Sequence, residues 1–304
     1  MKLSGLSCIA GTLLLLSSCQ KSNGTDDTSG AKLVFSFKFD STQTRLSNVA
    51  QPVSVAAGHA AQSPVMRKMS SHYVELTPNA TTALGAGAVL YRAPETTAGG
   101  ENAIDFEKST LVGNGETFFS IPLASIKPGT YEWLRISLAY QNGDVKYWVD
   151  TTINGVAIKQ EFIGTLAGFI GFNTYIKSFN VKDQSVAVNG NRKQGYWAFE
   201  TNISYNNVNI PYLTSGQAPA GSTTVVNPIF ATSPIPQGSC VVTASIPGKL
   251  TITGKENKDI TLEVSLSTNK SFEWEDLNGD GKWQPGKGER TVDMGIRGMV
   301  VNVK

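Results

Sequence analysis

The sequence predicts an all-β protein: an antiparallel β-sandwich with long loops. Three observations point there. Several short apolar runs alternate strictly, 30 Gly and 13 Pro punctuate the chain between them, and no long stretch carries apolar residues at helical spacing. From residue 31 to 304 the chain is long enough for one large sandwich domain, with room for two sub-sheets that break near 185–235.

Residues 1–30 read as something other than fold. Lys2 precedes an apolar run, Ile9 to Leu16, that is too short to cross a bilayer, and Leu16-Ser17-Ser18-Cys19 follows it. Gln20 to Gly30 is polar and cannot bury enough apolar area to fold. Leu16-Ser17-Ser18-Cys19 resembles the lipobox of bacterial lipoproteins of the kind secreted by Bacteroidota. The resemblance implies that residues 1–18 are a signal peptide cut before Cys19, and that Cys19 carries the lipid. Residues 19–30 would then be a flexible tether, and the partner of the chain would be the outer membrane, with the domain facing the periplasm or the cell surface. More than one acyl chain on a single cysteine suffices for stable anchoring. Asp26-Asp27 resembles the export signal of surface-facing members of that group.

Removing Lys2 from the 26 basic residues leaves 25 against 24 acidic ones, a nearly neutral chain without a basic stripe, so nucleic acid is excluded as a partner. Of the three cysteines, Cys8 lies in the signal and Cys19 carries the lipid, so Cys240 stands alone and no internal disulfide forms.

The domain opens on Lys32 to Phe39, whose Leu33, Phe35, Phe37 and Phe39 share one face of a half-buried strand. Asp40 to Ser71 is polar and irregular, a long loop. His72–Leu76 and Ala88–Tyr91 are short strands around the Gly-rich turn Leu84-Gly85-Ala86-Gly87. Glu116–Ile121 and Tyr131–Tyr140 are strands, the latter introduced by the turn Pro128-Gly129. Asn142-Gly143 signals a hairpin turn, with Val145–Asp150 as the returning strand at the centre of the fold. Gly164–Phe172 is Gly-spaced, as in a closely approached strand, and Tyr196–Glu200 is another. Residues 206–238 carry five prolines and read as a second long loop. Cys240–Ile246, Lys249–Thr253 and Asp259–Leu266 form a three-strand meander, which places Cys240 as a packed, inert thiol.

The best local motif is Asp276-Leu277-Asn278-Gly279-Asp280-Gly281-Lys282-Trp283. Oxygen-bearing side chains at relative positions one, three and five, with Gly at six, let a tight loop wrap a hard cation such as Ca²⁺. It resembles the first half of EF-hand and dockerin loops, which implies Asp276, Asn278 and Asp280 as side-chain ligands and the Lys282 carbonyl as another. It departs at position twelve, where Lys287 stands, and Glu289 or Asp293 would supply the missing carboxylate.

A second set, His59, Met66, Met69 and His72, offers thioether and imidazole donors suited to copper. The strand-loop-strand order over 32–140 is similar to that of the copper-binding periplasmic proteins associated with methanobactin uptake. Trp133, Trp148, Trp197 and Tyr147 offer rings on which a glycan would stack. Gly-x-Ser-x-Gly, His-Glu-x-x-His and Walker patterns are missing from the chain. The reading is therefore a non-catalytic envelope lipoprotein, a surface binding or structural module with a calcium loop. A copper-handling periplasmic lipoprotein and a secreted hydrolase are the alternatives.

Overall fold

The computed structural model describes residues 30–47, 49–153, 155–205, 207–218 and 240–304. The lipobox, residues 19–29 of the tether and residues 219–239 of the second long loop lie outside the described residues. The fold is all-β, built from several sheets, and among the described residues the only helical elements are short 3₁₀ turns. One sheet has four strands in the order β18 (Met299–Val303), β15 (Ile260–Ser267), β1 (Lys32–Asp40), β7 (Thr117–Pro122), in which β1 and β15 run parallel. It packs on part of a seven-stranded sheet. That sheet runs β13 (Val208–Gln217), β12 (Tyr196–Tyr205), β9 (Val156–Phe169), β8 (Gly129–Ile153), β3 (Val65–Thr77), β4 (Ala88–Arg92), with β14 (Cys240–Ile252) also paired to β8. The alternation in the first strand does what alternation implies: Leu33, Phe35 and Phe37 are fully buried and share a core with Leu262, Val264, Leu76, Leu134 and Ile136. Each such side chain stabilises the fold by about 1.5–3 kcal/mol.

The 25-residue strand β8 outruns this sandwich. Its first half pairs with β14 on one edge, its second half with β9 on the same edge, and β3 follows along the other. Ser71 pairs with Leu138 and Ser70 with Tyr140, so Ala139 is bulged out, and its carbonyl accepts from the amides of Ile170 and Gly171. Beyond the bulge, side chains of β8 feed two further cores on opposite faces. Tyr140 joins Phe106, Phe169, Ile176 and Phe179 beneath a second four-stranded sheet of β5 (Glu95–Thr96), β6 (Ala103–Asp105), β10 (Thr174–Asn180) and β11 (Ser185–Arg192). Val145 and Tyr147 join Phe199, Phe272, Trp274 and Trp283 beneath a three-stranded sheet of β2 (His59–Gln62), β16 (Phe272–Glu275) and β17 (Thr291–Asp293).

Four expectations need correction. The chain does not turn at Asn142-Gly143. Asn142 is buried and donates its Nδ2 to the Val181 carbonyl, and Gly143 is needed where the Met66 backbone and sulfur come so close that a Cβ would sit about 3 Å from them. The reversal comes at the far end of the same strand, between the paired Ile153 and Val156, where Gly155 adopts φ +79°. Second, the loop after Asp40 ends earlier than Ser71, because β2 and the first half of β3 fall inside it. Third, Val208–Gln217 is a strand and not loop; it lies on the sheet edge, where Pro211 leaves no ladder donor missing. Fourth, there is no terminal meander. Pro247 to Lys249 is a bulge within β14, whose far side still pairs with Tyr131, and β15 pairs with β1 in a different sheet. Within the described part of 185–235, β11 belongs to one sheet, while β12 and β13 continue the central one.

Candidate functional site

The loop from Asp276 to Glu289 leaves β16 and returns to β17. Gly279, Gly281 and Gly288 all take positive φ, which lets the backbone curl tightly. Inside the curl, side-chain oxygens point inward. Asp276 Oδ2 accepts from the Gly281 amide at 2.9 Å, Asn278 Oδ1 from the Asp280 amide at 3.1 Å, and Asp280 Oδ1 from the Lys282 amide at 2.8 Å. Gln284 joins the two ends: its side chain donates to Asp280 Oδ2 and its amide to Glu289 Oε2, both at 2.6 Å. Glu289 is buried, and burial raises its carboxyl above the usual range, with the charges of Asp276 and Asp280 pushing the same way. Asp276 Oδ1 is shut from solvent and has no hydrogen-bond partner among the described residues.

Lys282 turns away from these oxygens, its Nζ sitting 3.9 Å from the centre of the Trp148 ring. Trp283 is driven into the third core against Tyr147, Phe199 and Phe272, and its carbonyl accepts from the Trp148 amide at 2.7 Å. The loop therefore clamps the outer half of β8. Among the described residues, no three or more of His, Cys, Asp and Glu group closely enough to hold a metal by themselves. Calcium also uses amide and backbone carbonyl oxygens, which Asn278 and Lys282 offer here. Asp293, the other candidate, belongs instead to β17, where it meets Arg297 at 2.5 Å; burial raises its carboxyl despite that arginine.

The copper candidates keep separate surroundings. Met66 and His72 lie six positions apart on β3, on the order of 20 Å along an extended strand. Met69 is fully buried in the first core, and Met66 packs at Gly143. His72 is buried against the Phe172 ring and its Nε2 meets Glu95 Oε1 at 2.8 Å. Burial pushes the His72 imidazole down against the pull of Glu95. Burial alone would raise Glu95, but hydrogen bonds from Asn102, His72 and Arg92 outweigh it and hold the carboxyl at about 2. His59 sits on β2 and meets Glu273 Oε1 at 2.6 Å. Of the aromatic platforms, Tyr147 is buried and bonded to Thr201, while Trp133, Trp148 and Trp197 are half-buried.

The strongest charged cluster was not foreseen. Glu273, 4% exposed, receives Arg45, His59 and Arg297, and thereby joins the loop after β1 to β2, β16 and the approach to β18. Two more buried carboxylates fill turns. Glu75 accepts the amides of Gly85 and Gly87, so the Gly-rich turn does cradle an anion, but one of the chain's own. Glu200 does the same for the amides of Lys182, Asp183 and Gln184. Cys240 is buried, which pushes its thiol up to about 12 and leaves it a poor nucleophile. Comparison with family models, with curated proteins and with solved structures finds no match.

Proposed function

We propose that the chain is a non-catalytic cell-envelope lipoprotein whose β domain is a binding or structural module stapled by calcium at Asp276–Glu289. Leu16-Ser17-Ser18-Cys19 and the polar residues after it support the address. The observation that carries the ion is the curl itself: Gln284 joins Asp280 to Glu289, Asp276 turns onto the Gly281 amide of the same loop, and the Lys282 ammonium is drawn off to Trp148. A hard cation there would offset the mutual repulsion of these carboxylates and hold Trp283 in its core. Its role would be structural.

Two measurements test the reading. Cells fed radiolabelled fatty acid should label the wild-type protein and leave Cys19→Ala unlabelled; label on the variant would end the lipoprotein reading. For the ion, a ligand that binds only the folded state at a hundredfold excess over its Kd adds about 2.7 kcal/mol. That corresponds to a rise of several degrees in Tm for a domain larger than about 150 residues. Calcium should raise Tm, a chelator should reverse the rise, and Asp280→Asn should abolish it. A melt indifferent to both calcium and chelator would show an ordinary turn.

A further inference from the structure

Four lysines gather at the end of the domain from which residue 30 leaves. The Ala31 carbonyl accepts from the Leu123 amide, and the Lys32 amide donates to Asp259 Oδ1 at 2.7 Å. The 253–259 connection after β14 lies over the 123–128 segment, with Gly254 against Ala124 and Pro128. These three adjoining segments carry Lys32, Lys127, Lys255 and Lys258 against two carboxylates, Glu256 and Asp259. Both carboxylates are turned onto the chain itself, Glu256 onto the Thr253 amide and hydroxyl and Asp259 onto the Lys32 amide. None of the four lysines has an ion-pair partner among the described residues, whereas Lys249 and Lys304 nearby are paired with Glu132 and Glu263. The result is a basic end on a nearly neutral chain.

We propose that this end is a docking face for an anionic phospholipid surface, the bilayer to which the domain is tethered. The proposal rests on the lipoprotein reading for its orientation. On that reading only the twelve residues from Cys19 to Gly30 separate this end from the lipid, a reach of at most about 40 Å. The attachment therefore keeps this end where thermal motion brings it within the roughly 8–10 Å over which surface charge is felt. A lysine near an anionic surface raises partition about fivefold. Four acting together, offset in part by Glu256 and Asp259, turn a loosely tethered domain into one that stands with β1 and β15 pointing away from the membrane.

Every described strand lies between residues 32 and 303, so the chain from residue 19 holds all of them. That chain with Cys19→Ser, carrying no acyl group, is sedimented with vesicles of phosphatidylcholine alone or with about a third phosphatidylglycerol. The expected result is binding to the anionic vesicles only, lost at high salt. Replacing Lys32, Lys127, Lys255 and Lys258 by Gln should weaken it about a hundredfold. The same replacement at the exposed, unpaired Lys182, Lys193, Lys270 and Lys287 should leave it within a fewfold. Equal binding to both vesicles, no binding to either, or equal loss in the two variants would overturn the proposal. Because the assay uses no lipid anchor, its failure is separate from a failure of the fatty-acid label.

Discussion

At the scale of single residues, the chain uses its own carboxylates to satisfy backbone amides and arginines that turns and buried loops would otherwise leave bare. Glu75 and Glu200 each fill a turn of amides, and Glu116 takes the Gly113 amide at 2.6 Å in the same way. Glu273 is the extreme case, since two arginines and a histidine converge on one buried group. Burial alone would raise its carboxyl, but the His59 and Arg45 hydrogen bonds outweigh that and hold it below the usual range. Removing one partner of a buried ion pair leaves the other uncompensated, at a cost of about 3–5 kcal/mol. Glu273→Gln keeps the shape and deletes the charge that Arg45 requires. We expect it to lower Tm by roughly 6–15 °C at neutral pH. A melt within a degree or two of wild type would mean that Arg45 finds water or another acceptor. None of this cluster was legible beforehand, because Arg45 and Glu273 stand 228 positions apart and nothing local marks them as partners.

At the scale of elements, local chemistry was readable and connection was not. The alternation of Leu33, Phe35 and Phe37 named a buried face correctly because period two is imposed by the strand itself. The oxygens of Asp276, Asn278 and Asp280 accept amides of their own loop, because short acceptor side chains reach backbone N–H groups a few residues on. Asn142-Gly143 misled because an Asn-Gly pair reports a backbone that tolerates a turn, while a β-strand can use the same small residue for close packing. The tie was broken by tertiary contacts, Val181 on one side and Met66 on the other. The copper donors failed to converge for a related reason: loop-like composition around Met66 concealed a strand, and an extended strand keeps its residues apart. The supposed terminal meander shows the same limit, since Pro247-Gly248 marks a bulge as readily as a reversal.

At the scale of the whole molecule, stability rests on three cores strung along β8 and on polar ties between the sheets that cover it. The tie from β3 to the β5–β6 sheet is His72 to Glu95, and its sign with pH can be worked out. Burial depresses the His72 imidazole below its ordinary value of 6.5. A depressed folded value contributes stability that is present above 6.5 and is lost as pH falls through the folded value. Glu95 follows the same sign at lower pH, its contribution present above its ordinary 4.5 and lost as pH falls toward about 2. Acid should therefore destabilise the protein in two limbs, a shallow one beginning near pH 6.5 and a steeper one below about 4.5, where Glu95, Asp144 and Glu273 lose their charge together. In His72→Gln the side chain can still donate to Glu95 but cannot take up a proton. The variant should melt somewhat lower than wild type at pH 7.5, with the shallow limb gone and the steep one kept. Melts taken in chelator from pH 7.5 to 3.5 decide it: if the variant's profile runs parallel to wild type between 6.5 and 5, the titrating group of the first limb is not His72.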